Sequence, residues 1–181
     1  MLFRSKPVTR IEDFKGMKHR SWGPAASRFA ELVGATPTVL QASELSQAFT
    51  VGIVDATLTS STTAVATQSW EYAKYFIDFQ AAHSKDTIII NTAVFKGLSA
   101  DLQQIILTAA ANAEKRGWDW SKREGEETKA RLVKEGVTIL TPDAAFVSDL
   151  RKVGERLAQD WEKRAGPDGS AVLKEYLAER K

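Results

Sequence analysis

Three times in the first 52 residues a short helix-forming stretch runs into a glycine, and a short β-prone stretch follows. The glycines are Gly16, Gly34 and Gly52. Glycine accepts the left-handed turn that ends a helix, so each marks a helix-to-strand junction. The strands predicted after them are Met17–Trp22, Thr36–Leu40 and Ile53–Leu58. The helices between open at Pro24, which suits a first helical turn, and at Ser43, a good N-cap. Phe29, Ala30, Leu32 and Val33 give the first helix its apolar side; Leu45, Ala48 and Phe49 do so for the second. Strands alternating with helices of about ten residues predict an α/β fold built on an open parallel sheet.

Upstream, Thr9 and Glu12 have the spacing of a capping box for one helical turn ending at Gly16. The segment Met1–Pro7 has too few apolar residues for a signal peptide and reads as no approach element. Downstream, a helix is predicted over Ala64–Tyr75, and the run "TIIIN" at Thr87–Asn91 reads as a buried strand. Ser99 caps a pattern that stays helical to Gly136, about 35 residues, with Gly117 or Gly125 as possible bends. A short strand at Val137–Leu140 follows. A helix then carries Phe146, Leu150, Val153, Leu157 and Trp161 on one stripe and stops at Gly166–Gly169. A last short helix holds Val172, Leu173, Tyr176 and Leu177.

Chemistry in the sequence is sparse. There are no cysteines, which excludes disulfides, thiol catalysis and thiolate metal sites. The balance of 25 basic against 23 acidic residues gives no reason to expect nucleic acid. His19 and His83 have no partner at ligand spacing and read as surface or strand-end histidines. Glu124, Glu126 and Glu127 sit among lysines and arginines, as on a solvated helix face. No phosphate-binding loop, nucleophile elbow or dinucleotide fingerprint is present, so neither an enzyme nor a cofactor is expected.

Two features point to a ligand. Arg20 and Trp22 lie at the carboxyl end of the first predicted strand, where open α/β sheets bind ligands. They share a face by strand alternation, and a guanidinium fits a carboxylate. The competing reading pairs Arg20 with a local acid such as Asp13. The run Thr59–Thr63, with Thr59 and Ser60 leading it, stands at the carboxyl end of the third strand. Its hydroxyls suit a ligand's oxygens or, alternatively, helix capping by Ser60–Thr62.

The order of these motifs resembles the solute-binding proteins of tripartite ATP-independent periplasmic (TRAP) transporters. The carrying residues are Lys6-Pro7, Ile11–Arg20 ("IEDFKGMKHR"), Gly34–Pro37, Ser43–Leu45 with Ala48, and Val54-Asp55. Trp70–Tyr75, Leu98–Gln104 and Gly136–Thr138 before Thr141-Pro142 complete the series. The resemblance implies a two-lobed, periplasmic-binding-protein-like fold, here partial. It implies a periplasmic receptor that binds a small organic acid and delivers it to a membrane permease, with Arg20 on the ligand carboxylate. Residues 1–84 and 125–181 would form the second lobe, and 85–124 would cross to an incomplete first lobe. The signal peptide and most of that first lobe would lie outside this chain. Where the family often has "D-G-Q-E-N-P", this chain has Asp55–Ser60, with Thr59 at the asparagine position, which implies its own ligand preference. The alternative is a stand-alone α/β regulatory domain or enzyme that reuses the lobe.

Overall fold

A computed structural model describes residues 1–80 and 87–179. The architecture is mixed α/β. Six strands among the described residues form one sheet in the order β3-β2-β4-β1-β5-β6. They are β1 (Leu2–Phe3), β2 (Lys18–Ser21), β3 (Thr36–Val39), β4 (Ala56–Thr57), β5 (Tyr75–Ile77) and β6 (Thr138–Leu140). β2 runs parallel to β3 and β4, and β5 parallel to β6. β1 lies between β4 and β5, antiparallel to both.

The helix-to-strand reading of the first third holds. Helices α1 (Pro24–Leu32) and α2 (Leu45–Thr50) separate β2, β3 and β4. Gly34 and Gly52 follow them with φ of 80° and 75°, a region costly for any residue with a Cβ. Pro37 is tolerated in β3 because that strand is the sheet's edge. The remaining helices are α3 (Ser61–Ala66), α4 (Thr92–Lys96), α5 (Ala100–Lys134) and α6 (Ala144–Glu179).

Both sheet faces are covered. On one, Phe29 and Ala30 of α1, with Val33 just past its end, pack with Phe3, Phe14, Ile77 and Phe146. On the other, Leu45, Ala48 and Phe49 of α2 pack with Leu2, Phe76 and Leu132. Leu2 and Phe3 thus go to opposite faces, as strand alternation requires.

Several local expectations are corrected. Asp13, not Glu12, closes the first turn: its carboxylate accepts the N–H groups of Thr9 (2.9 Å) and Arg10 (3.2 Å). Those bonds hold its pKa below the ordinary value. Ser43 lies inside a 3-10 turn, Ala42–Glu44, and the Glu44 carboxylate instead accepts the Gln41 N–H at 2.8 Å. The helix expected over Ala64–Tyr75 ends at Ala66; Gln68 turns left-handed (φ 49°) and Tyr75 enters β5. The aromatic and β-branched run Tyr75–Ile77 suits a strand better than a helix. The stop expected at Gly166 is borne out: within α6 Gly166 leaves helical geometry (φ 71°), and Pro167 suits the first turn of the short helix that follows. Leu150, Val153 and Leu157 pack on the core beside Phe146, whereas Trp161 stays 42% exposed. The N-terminus is not idle either, since Leu2 and Phe3 are fully buried.

His19 is the sharpest correction. It is not a surface residue: it is fully buried beside the Phe29 ring (5.6 Å), and neither ring nitrogen has a partner among the described residues. Burial, with the Met1 ammonium and Arg20 guanidinium nearby, lowers its pKa to about 4, so it is neutral near pH 7. His83 lies outside the described residues.

Thr87–Asn91 is neither strand nor buried here. Ile88 and Ile89 are 99% and 85% exposed. Exposure continues along most of α4 and through α5 to Arg123, including Ile105, Trp118 and Trp120. Each apolar side chain left wet forgoes roughly 1.5–3 kcal/mol of burial. The isolated chain is therefore expected to self-associate through this arm. Sedimentation velocity over a concentration series should show mass above 20.0 kDa. A monomer that binds no hydrophobic dye would contradict this.

Candidate ligand-binding site

The carboxyl ends of β2, β4 and β5 open on one edge of the sheet. Arg20 and Thr57 are register partners across β2 and β4, so their side chains share a face. Thr57 is buried and Arg20 half-buried. The Arg20 guanidinium carbon stands 5.2 Å from the centre of the Trp22 ring, a cation–π distance. Trp22 itself is 50% exposed. Arg20 Nε donates to the Leu40 carbonyl at 3.2 Å, at the end of β3.

That leaves the terminal amino groups of Arg20. Among the described residues no carboxylate lies within ion-pair distance of them. Asp13, the local acid considered above, is taken by Thr9 and Arg10. Partial burial lowers the Arg20 pKa from its ordinary value, yet an arginine stays charged. A partly desolvated cation without a counter-ion among the described residues carries an electrostatic cost that an anionic ligand would relieve.

Thr59 and Ser60 follow β4 at this same edge. Ser60 caps α3: its hydroxyl accepts the Thr63 N–H at 3.0 Å and also meets the Thr63 hydroxyl at 3.0 Å. The capping alternative is therefore realised for Ser60, while Thr59 is half-buried and outside the cap. Removing the cap in Ser60→Ala is expected to cost about 0.5–2 kcal/mol of stability. Urea denaturation checks this, and an unchanged midpoint would contradict it. The sequence reading missed the Leu40 carbonyl, because backbone acceptors carry no residue-type signal. Also missed was the partner of Ser61: its hydroxyl meets that of Thr128 in α5 at 2.9 Å.

Among the described residues no three His, Asp or Glu side chains gather as a metal site. No described helix is long and apolar enough to cross a membrane.

Residues 2–164 match the sequence profile of the bacterial extracellular solute-binding proteins, family 7. The chain belongs to that family. Among curated relatives, a solute-binding protein of Albidiferax ferrireducens is 27% identical over 158 residues, 86% of this chain and 47% of its own. The C4-dicarboxylate-binding periplasmic protein DctP of Rhodobacter capsulatus is 27% identical over 180 residues, 96% of this chain and 53% of its own. Among solved structures, DctP7 of Bordetella pertussis is an extracytoplasmic solute receptor binding pyroglutamic acid. It is 34% identical with a TM-score of 0.80, over 99% of this chain and 59% of its own. The chain thus spans about half the length of the curated relatives it matches.

Proposed function

We propose that this chain supplies the carboxylate-holding lobe of a TRAP-type solute receptor. Its ligand would be a small organic acid, with a cyclic monocarboxylate such as pyroglutamate the first to try. The reading rests on one observation: Arg20 is half-buried at the carboxyl edge of the sheet, fixed by the Leu40 carbonyl, with no acidic partner among the described residues. The Bordetella pertussis receptor, 34% identical and bound to pyroglutamic acid, supports the choice of ligand.

In this reading Arg20 takes the ligand carboxylate through its terminal amino groups. Trp22 stacks beside the guanidinium and shields one side of the ligand from water. Thr59 offers a hydroxyl to a ligand oxygen, and Ser60 holds the loop by capping α3. Residues 1–84 and 125–181 form this second lobe, and 85–124 reach toward the first lobe, which completes the cleft. The boundary at 84 and 85 falls outside the described residues. The receptor works in the periplasm, hands its ligand to a membrane permease and performs no catalysis.

A thermal-shift series tests the reading. Pyroglutamate at millimolar concentration is expected to raise the melting temperature, because a ligand that binds only the folded state stabilises it. The neutral amide of the same ring should not. Equal shifts from acid and amide, or none from any small carboxylate, would overturn the proposal.

A further inference from the structure

Among the described residues helix α5 is anchored only at its C-terminal end. From Ala100 to Arg123 nearly every residue is exposed, and the first buried side chain is Thr128, followed by the fully buried Leu132. At about 1.5 Å per residue this leaves an overhang of roughly 36 Å. A tilt of about 10° at the anchor would move the far end by roughly 6 Å.

The anchor is specific. The Thr128 hydroxyl lies 2.9 Å from that of Ser61, the first residue of α3, and 2.6 Å from the Glu124 carbonyl within α5. Back-bonding of that kind bends a helix, so the Thr128 hydroxyl acts on helix direction and not only on packing. One residue on, Lys129 reaches Asp78, just past the carboxyl end of β5, at 3.0 Å. Both partners, Ser61 and Asp78, stand on the edge that carries Arg20 and Thr59. Ser61 directly follows Ser60, whose hydroxyl holds the first turn of α3.

We infer that the Ser61–Thr128 hydroxyl pair is the joint through which the ligand-facing edge sets the direction of the long helix α5, with Thr128 as the positioning residue. A ligand that pulls on Thr59 or Ser60 shifts the first turn of α3, Ser61 carries the shift to Thr128, and the overhang multiplies it. The response to ligand rests on the proposed carboxylate site; the positioning of the unliganded helix does not.

The absence of cysteine makes the test direct. Spin labels at Gln47→Cys on α2 and Asn112→Cys on α5, diluted in unlabelled chain, report the angle of α5 by pulsed EPR. Thr128→Val and Ser61→Ala are each expected to move or broaden the unliganded distance by several ångströms. Thr128→Ser, which keeps the hydroxyl, should restore it. Thr108→Val, whose hydroxyl meets only Gln104 of its own helix, should change nothing. Pyroglutamate should shift the parent distance but not that of Thr128→Val, with binding to both confirmed by calorimetry. Parent-like distances in both Thr128→Val and Ser61→Ala would overturn the inference, as would a Thr128→Ser chain that behaves like Thr128→Val. An equal ligand shift in Thr128→Val would remove the coupling. Failure of pyroglutamate to bind any form would count against the proposed ligand, while the unliganded distances would still decide the joint.

Discussion

Replacing Arg20 by alanine is expected to lower affinity for a carboxylate ligand about tenfold to a hundredfold. A charge-assisted hydrogen bond contributes roughly 1.5–3 kcal/mol, and each 1.4 kcal/mol is about a decade. Leaving the ligand's carboxylate unpaired in a half-buried site pushes the loss toward the upper end. Arg20→Lys should also lose affinity, because an ammonium cannot keep Nε on the Leu40 carbonyl while offering a planar fork beyond it. Arg10→Ala is the suitable control: Arg10 pairs with Asp13 on the exposed first turn. Arg28 is a poorer one, since it binds Asp160 at 2.7 Å and ties α1 to α6. Calorimetric titration of the variants should rank them in that order. Affinity unchanged in Arg20→Ala would leave the arginine without the role proposed for it.

Acidification is expected to destabilise the fold through His19. Its folded pKa of about 4 lies below the ordinary 6.5, so the unfolded chain binds the extra proton first. Stability from this residue is whole above about pH 6.5, declines as pH falls, and is gone below about pH 4. The full loss is roughly 3 kcal/mol, a large share of a typical domain's stability. The Met1 ammonium, buried against the Ile77 carbonyl with its pKa lowered from 8.0 to about 5, adds a loss of the same sign at higher pH. Urea midpoints at pH 7.5 and 4.5 should therefore differ more in the parent than in His19→Leu. At neutral pH His19→Leu should be no less stable, because two unpartnered buried ring nitrogens disappear. An identical pH dependence in both would contradict the assignment.

His19 also shows where sequence reading stopped. In "KHRS" the strand was legible, and so was the fact that Arg20 and Trp22 share a face. What covers each face was not. His19 turned inward because Phe29 of α1 packs over it, a contact between residues ten apart that alternation alone does not specify. β1 escaped for another reason: two residues carry no periodicity, and Leu2–Phe3 became a strand only because β4 and β5 flank it. The long helix was readable from end to end, since a capped 3.6-residue pattern of that length has no competitor. Thr87–Asn91 fits the opposite case, a strand-forming composition that pairs with nothing described in this chain. At the site, the arginine and the hydroxyl run could be named from residue type and strand end. The Leu40 carbonyl and the Ser61–Thr128 pair could not, since they depend on backbone geometry and on a partner 67 residues away.

The most direct test of the carboxylate edge is residue-resolved NMR of the chain titrated with pyroglutamate. Saturable shifts are predicted at Arg20 Nε–H, the Trp22 indole N–H and the Thr59 amide, and they should vanish in Arg20→Ala. Shifts confined to the opposite end of the sheet, around Gly16 and Asp55, or an equal response to the neutral amide, would contradict the account.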